Sequence, residues 1–401
     1  MDRGLLWENW RFRRTLAYWI TMMYLEGSIL FAVGGIFAFF PVYFGPVAAK
    51  LAALSASLVS APYLIGSVAF TLGSWAGVEE LFRIPRLRGS QRPIVFCCTR
   101  PEVWHMVRSA TPWEARVAYA SYFVGALLFN VACTAAYFAR SERDTESWVW
   151  LPQVLGSLGF TIGGAVECRR NRVWSALRGG RQGGVCSTPV WISVCNFLGG
   201  GCFLVAASSG ALILLGGEAC EECEHWLVDG VYLLGSILFL FGALIALWMW
   251  KCEQFGLGLM PELNEHDIES LSVIDDRNKR VDDLAQYGCG RSSMSQLPWL
   301  ILYILNATAS VIDTALALQP LRWSQPGSTS RITTALLNFL LSHGVLFLAS
   351  VVHHIPTAAP HNWLLRYMRA VLLLYTINAW ANVGGELDTL LRQMPNVEMS
   401  A

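Results

Sequence analysis

Two carboxylates stand inside long apolar stretches of the sequence, where they could carry out proton or ion chemistry. Glu26 directly precedes Gly27 in the first stretch, and Asp313 lies in the seventh, within SVIDTALAL. An ionisable side chain at such depth in a bilayer costs at least about 2.5 kcal/mol and is by default a functional-site hypothesis. A transporter or proton relay would use both groups. The alternative is structural, with each carboxylate neutral or bonded to a polar neighbour on another helix.

Recognisable catalytic and metal-binding motifs are absent from the sequence. It contains no Walker loop, no G-x-S-x-G elbow and no H-E-x-x-H pair. Cys220 and Cys223 form a CEEC pair with His225 close by, but no second ligand pair for zinc is evident nearby. We therefore predict no enzyme, no catalytic residue, no cofactor and no metal site.

The composition indicates that these carboxylates belong to a multi-pass membrane protein. Of 401 residues, 54% are hydrophobic and 14% are charged, whereas soluble proteins have about 25% charged residues. The 29 basic and 29 acidic residues cancel, so no basic field favours nucleic acid. The predicted environment is the lipid bilayer, and the elements that position Glu26 and Asp313 must be transmembrane helices.

Nine apolar stretches are long enough to cross a bilayer, which takes roughly 20 residues per helix. The ninth carries Arg366 and Arg369, so it could instead lie on the membrane surface. We expect an all-α polytopic bundle of eight or nine spans, built from repeated two-helix hairpins. The stretches run near 15–40, 47–76, 114–139, 148–167, 188–215, 226–251, 297–318, 331–354 and 363–385.

The distribution of arginine predicts a cytoplasmic N-terminus. Arginine-rich segments precede the first stretch, follow the second (83–108) and follow the fourth (169–181). The loop 41–49 has no basic residue, and the loop 216–225 is acidic. Basic residues mark the cytoplasmic side of short loops, so all three arginine-rich segments belong on that side. No cleavable signal peptide is evident, and the first stretch is expected to remain as an anchor.

An eleven-residue motif recurs in the apolar stretches. Its clearest copies are YLEGSILFAVG from Tyr24, YLIGSVAFTLG from Tyr63, QVLGSLGFTIG from Gln153 and YLLGSILFLFG from Tyr232. Weaker copies occur in the third and fifth apolar stretches, and the copies in the seventh and eighth stretches are degenerate. Gly, Phe and Gly at i, i+4 and i+7 share one helix face, and small residues decide where helices pack in lipid.

We therefore predict that the motif residues form a helix-contact layer. In each of the first five apolar stretches, the first motif glycine is expected at a similar depth, roughly 15–18 Å from the cytoplasmic end of the helix at 1.5 Å per residue. The residues are Gly27, Phe31, Gly34, Gly66, Phe70, Gly73, Gly125, Phe129, Gly156, Phe160, Gly163, Gly199, Phe203, Gly235, Phe239 and Gly242.

The two-helix unit resembles a known family. Its Y-L-x-G-S-x-x-F-x-x-G consensus and charged ends are similar to those of the YrhK-domain family of small two-span membrane modules. The resemblance covers the first two pairs of apolar stretches well, the third pair fairly and the fourth pair poorly. It implies tandem membrane modules, and it brings no activity, substrate or catalytic residue with it.

These features divide the chain into four predicted repeats and two loops. The linker 253–296 has nine acidic and four basic residues; it is either a docking segment for a protein partner or a solvated connection. The predicted segments are repeat 1 (1–87), a cytoplasmic loop (88–113), repeat 2 (114–187), repeat 3 (188–252), the acidic cytoplasmic linker (253–296) and a degenerate repeat 4 with a ninth helix (297–401).

The sequence favours a non-enzymatic membrane protein with a structural, scaffolding or regulatory role. The alternative is a small-solute or ion transporter that uses Glu26 and Asp313. A water-accessible cavity that reaches either carboxylate would favour transport. A packed interior in which both carboxylates bond to neighbours would favour the structural role.

Overall fold

The computed structural model describes residues 3–87, 113–138, 145–177, 188–216, 221–252, 297–318, 328–352 and 362–393. Within these residues the regular secondary structure is entirely helical, which confirms the all-α class. The acidic linker 253–296, with its predicted partner interaction, lies outside the described residues.

The described residues form long helices and a few short ones. A 3₁₀ segment, Pro41–Val47, follows the first helix. The α-helices of the described residues are α1 (Arg3–Phe39), α2 (Ala48–Ala53), α3 (Ala61–Leu87), α4 (Trp113–Phe138), α5 (Leu151–Arg170), α6 (Val173–Leu177), α7 (Thr188–Gly216), α8 (Glu221–Cys223), α9 (Val231–Cys252), α10 (Leu297–Ala317), α11 (Ser328–Val352) and α12 (Asn362–Gln393).

A π-helical segment directly precedes α3, α5 and α9, which are the second helices of the three clear predicted repeats. These segments are Ala56–Ser60, Thr145–Trp150 and Glu224–Gly230. In α3 and α5 a proline, Pro62 or Pro152, follows within the first two helical residues. Proline lacks the amide hydrogen and is tolerated only in the first helical turn, so a regular helix cannot continue through it. The apolar stretch predicted as one span at 47–76 accordingly comprises α2, the π-helical segment Ala56–Ser60 and the start of α3, and its membrane-length helix begins only at Ser57.

Six helices in the described part of the chain are long and apolar enough to cross a membrane. They span Trp19–Phe39, Ser57–Glu79, Trp113–Ala136, Ser147–Arg170, Thr188–Leu215 and Glu224–Trp248. A shorter apolar helix, Ile304–Ala317, lies in α10. These helices support an integral membrane protein, and the total of eight or nine spans stays a prediction.

The chain forms two compact units. Unit 1 contains Met1–Ser28 and Gly66–Glu265, and unit 2 contains Ile29–Ile65 and His266–Ala401. Both helices of predicted repeat 1 therefore contribute residues to each unit, whereas predicted repeats 2 and 3 lie wholly in unit 1.

Neighbouring helices of unit 1 approach so closely that glycine is required. Between predicted repeats 2 and 3, a Cβ atom on Gly164 would lie 2.6 Å from the Cα atom of Phe197. One on Gly200 would lie 2.9 Å from the carbonyl carbon of Phe160. Real side chains do not tolerate such distances to backbone atoms, so α5 and α7 pack directly through their main chains.

Unit 2 has an apolar core and several buried polar contacts. Asn306 on α10 donates a hydrogen bond to Ser342 on α11 (3.2 Å), and Arg331 on α11 forms an ion pair with Glu386 on α12. The predicted ninth span is thus a helix that packs into this unit. Its apolar core comprises Leu51, Leu54, Leu58, Ala309, Ile312, Leu316, Val383 and Leu390.

Candidate functional site

The motif phenylalanine of one helix packs on the first motif glycine of its repeat partner. A Cβ atom on Gly27 would lie 2.5 Å from the ring of Phe70. One on Gly156 would lie 2.7 Å from the ring of Phe129. Glycine is the residue that leaves room for these rings.

Predicted repeat 3 shows this contact in both directions. A Cβ atom on Gly199 would lie 3.1 Å from the ring of Phe239, and one on Gly235 would lie 2.5 Å from the ring of Phe203. Two antiparallel helices with the same motif meet around a local twofold axis, so each phenylalanine faces the glycine of the other.

The second motif glycine faces the first residue of the partner motif. A Cβ atom on Gly73 would lie 3.4 Å from the ring of Tyr24, and one on Gly163 would lie 2.7 Å from the ring of Tyr122. On Gly242 it would lie 3.0 Å from the Oδ1 atom of Asn196. We number the eleven motif residues from 1, so that the two glycines are positions 4 and 11 and the phenylalanine is position 8. Positions 1 and 11 of partner helices therefore meet, as do positions 4 and 8.

The remaining motif residues of predicted repeat 1 belong to unit 2. There, a Cβ atom on Gly34 would lie 3.4 Å from the ring of Tyr63, which is again a contact between positions 11 and 1. The Phe31 ring packs on Tyr63, with 5.7 Å between ring centroids.

Five motif phenylalanines form one aromatic cluster in the centre of unit 1. All are buried, and Phe160 and Phe203 are each only 1% exposed. Ring centroids of Phe70, Phe160 and Phe239 lie 5.6–5.8 Å apart in all three pairs. Phe129 and Phe203 extend the cluster. Aromatic rings at such separations attract each other in addition to their packing.

A polar contact joins the predicted repeats 1 and 2. Ser67 on α3 donates a hydrogen bond to the Oδ1 atom of Asn130 on α4, and the Nδ2 atom of Asn130 donates to Thr71 (2.7 Å). Side-chain hydrogen bonds between membrane helices contribute about 0.6 kcal/mol on average and up to about 1.7 kcal/mol.

We expect Asn130→Ala to lower the free energy of unfolding by about 1–2 kcal/mol, because both of its interhelical hydrogen bonds are lost. Thermal unfolding in detergent measures this loss. Thr134→Ala, at an exposed position on the same helix, is the control and should change little. An equal effect of both substitutions would show that the α3–α4 hydrogen bonds do not stabilise unit 1.

The two carboxylates singled out in the sequence lie in different units. Glu26 belongs to unit 1 and is 4% exposed. Asp313 belongs to unit 2 and is partly buried on α10. Both side chains have interaction partners.

A cavity of about 80 Å³ opens inside unit 1, and its carboxylate is Glu167. Neither Glu26 nor Asp313 is among its lining residues. Its lining includes the aromatic rings of Phe70, Phe160 and Phe239 and a polar lining made of Tyr24, Tyr122, Glu167 and Asn196.

Glu167 is held by side chains from two neighbouring helices. The hydroxyl of Tyr122 on α4 donates to its Oε2 atom (2.8 Å), and the Nδ2 atom of Asn196 on α7 donates to the same oxygen (3.2 Å). Gly163, one turn earlier on α5, lets the Tyr122 ring lie across the helix and reach Glu167. Motif positions 1 and 11 therefore assemble the polar lining of the cavity.

Tyr24 on α1 completes the polar lining. Its hydroxyl lies 3.0 Å from the Oγ atom of Ser74, and Ser74 donates its own hydrogen to the carbonyl of Phe70 (2.8 Å). Tyr24 must therefore be the donor to Ser74.

Sequence reasoning missed Glu167, because α5 was expected to end at residue 167. The helix continues to Arg170 and ends where Arg172 adopts a left-handed conformation, with φ of 50°. Glu167 follows Gly163 by four residues and so shares the face of the motif. That spacing is the signal that could have identified it.

Comparisons with models of known families, with curated proteins and with solved structures find no match to this chain. Its function must therefore be inferred from its own residues. Within the described segments, no group of three or more His, Cys, Asp and Glu side chains could hold a metal ion.

Proposed function

We propose that this chain is a non-enzymatic integral membrane protein with a structural, scaffolding or regulatory role. Its core is a series of tandem two-helix modules that resemble YrhK domains, with the N-terminus in the cytoplasm and eight or nine spans in total. The observation that carries this proposal is the register of the motif, in which Gly27, Gly156, Gly199 and Gly235 each face a phenylalanine ring of the partner helix.

Main-chain packing of this kind favours a rigid core over a moving one. Interlocked rings and glycines have few alternative arrangements, because sliding one helix by a residue would drive Phe129 into a side chain instead of Gly156. The close approach at Gly164 and Gly200 extends the same packing to the boundary between modules. A rigid membrane-embedded core suits a scaffold.

The second candidate function is a small-solute or ion transporter, and the cavity at Glu167 favours it. Ionisable side chains inside membrane proteins often mark substrate or ion pathways. Glu26 and Asp313 remain predicted intramembrane carboxylates under this alternative.

Cysteine accessibility distinguishes the two functions. Ala246 lines the cavity, so Ala246→Cys, in a background without other cysteines, reports water access when a membrane-impermeant thiol reagent is added to sealed vesicles. A rigid scaffold predicts labelling from the cytoplasmic side alone, because the cavity lies toward the helix ends that adjoin the arginine-rich segments.

Val205→Cys is the control, since Val205 is 53% exposed on the apolar surface of α7 and should not react from either side. Labelling of Ala246→Cys from both sides of the membrane would contradict the rigid scaffold and favour alternating access.

A further inference from the structure

We propose that the cavity in unit 1 is a binding site for a small ammonium ion, with Glu167 as its counter-charge and aromatic rings as its walls. This inference requires the cavity and its side chains, but neither the scaffold role nor transport. The ammonium group could belong to a free amine or to the headgroup of a zwitterionic lipid.

The walls have the chemistry that recognises organic cations. Six aromatic rings line the cavity, from Tyr24, Phe70, Tyr119, Tyr122, Phe160 and Phe239. A cation within about 6 Å of an aromatic ring face is attracted by the ring quadrupole, and the attraction is stronger where the site is desolvated. Rings around a pocket are the common way to bind quaternary ammonium groups.

The carboxylate has one oxygen available for a ligand. Both hydrogen bonds that Glu167 receives from described residues end on Oε2, which leaves Oε1 as a second acceptor. Tyr122 and Asn196 thus fix the orientation of the carboxylate without using its full capacity. An ammonium ion beside Oε1 would face both a charge and the aromatic wall.

The charge of the lining suits a cation. Among the described residues that line the cavity, Glu167 is the one carboxylate, and neither lysine nor arginine is present. Arg170 lies one turn further along α5 and acts electrostatically on Glu167, but it is not part of the lining. Its charge offsets the field of Glu167 without occupying the space for a ligand.

The size of the cavity limits the ligand. A volume of about 80 Å³ holds several water molecules, since one water needs about 10–15 Å³. A small ammonium group fits this space, whereas a large drug-like molecule does not.

Tetramethylammonium is the probe that tests this site. The full chain is purified in a non-ionic maltoside detergent and titrated with tetramethylammonium chloride, and sodium chloride at equal concentration serves as the control for ionic strength. We expect saturable binding by calorimetry and a rise in Tm with tetramethylammonium but not with sodium. Absence of binding to the wild-type chain would overturn the proposal.

Glu167→Gln removes the charge while keeping the fold. The Gln carbonyl oxygen can take the place of Oε2 and accept both hydrogen bonds, from Tyr122 and from Asn196. We expect the Tm without ligand to remain close to that of the wild type and the affinity for tetramethylammonium to fall at least tenfold. Wild-type affinity in a folded Glu167→Gln variant would overturn the proposal.

Two further variants keep the test decisive. Glu114→Gln removes a carboxylate that pairs with Arg169 on the same two helices, α4 and α5, but does not line the cavity, so it should bind as the wild type does. Ala246→Leu fills the cavity and leaves Glu167 intact, and it should also abolish binding. If Glu167→Gln fails to fold, binding by Ala246→Leu with wild-type affinity overturns the proposal.

The source of the ammonium group is resolved in nanodiscs. If lipid headgroups occupy the site, affinity for tetramethylammonium should be at least tenfold lower in phosphatidylcholine than in phosphatidylglycerol. Equal affinity in both lipids assigns the site to a free amine. Either result leaves the cysteine accessibility test of the scaffold independent, because that test needs no ligand.

Discussion

Replacing Gly156 by leucine is expected to abolish stable assembly of unit 1. A Cβ atom at this position would lie 2.7 Å from the Phe129 ring and 2.9 Å from the carbonyl oxygen of Gly125. The carbonyl belongs to the backbone of α4 and cannot rotate away, so the two helices must separate. In lipid no hydrophobic force opposes that separation, since the tails are as apolar as the side chains.

The unfolding free energy lost in Gly156→Leu should exceed the roughly 1–3 kcal/mol usual for overpacking, because the neighbouring atom belongs to the main chain and not to a flexible side chain. Yield of monodisperse protein and Tm in detergent are the measurements. Ala165→Leu makes a comparable small-to-large change on an exposed position of α5 and should leave both unchanged. Gly66→Leu should behave as Gly156→Leu does, and equal tolerance of all three would refute the contact layer.

Truncating Phe203 to alanine should cost about 2–4 kcal/mol of unfolding free energy. Its ring contacts Phe129, Tyr232 and Phe239, with centroids 5.2–5.6 Å apart. Phe→Ala in the cores of soluble proteins costs about 3–5 kcal/mol. We expect a lower cost here, because a side chain that moves from lipid into the protein core gains less free energy than one that moves from water. The cost that remains is the cavity and the lost ring contacts.

Equilibrium unfolding in bicelles measures this cost. Phe203 does not line the Glu167 cavity, so the result is independent of ligand binding. Phe241→Ala removes the same side chain at a position that is 55% exposed, and it should cost less than about 1 kcal/mol. A similar cost for both would mean that the aromatic cluster does not stabilise the bundle.

The repeated motif predicts the contact face of a helix but not its partner. Glycine and phenylalanine at helical spacing identify the contact face of α5, because side chains at i, i+4 and i+7 point the same way whatever surrounds the helix. The pattern does not reveal which helix supplies the facing residue. The pairing of Gly156 with Phe129 follows from the antiparallel packing of α4 and α5.

The site was predicted less well than the fold. Glu26 and Asp313 were conspicuous because each interrupts an apolar run, whereas Glu167 stands near arginines at a helix end and looks like an ordinary charged terminus. Its role depends on Tyr122 and Asn196, which lie 45 and 29 residues away in the chain. No window of sequence contains all three.

The change of helical geometry within the second apolar stretch has a similar origin. Apolar composition is the same in a straight helix and in one broken by a π-helical turn, so the stretch 47–76 was predicted as one span. Pro62 disrupts regular α-helical bonding, and the π-helical segment Ala56–Ser60 lies directly before α3.

The amino-acid sequence alone determined the helical class and the apolar stretches, and its glycine–phenylalanine spacing predicted a contact face for the helices that carry the motif, since composition and a 3.6-residue period express these locally. Only the tertiary structure decided which helices meet, in what register, and that Glu167 closes a cavity walled by aromatic rings. The physical reason is that contacts between distant residues depend on shape and close packing, which local periodicity does not encode.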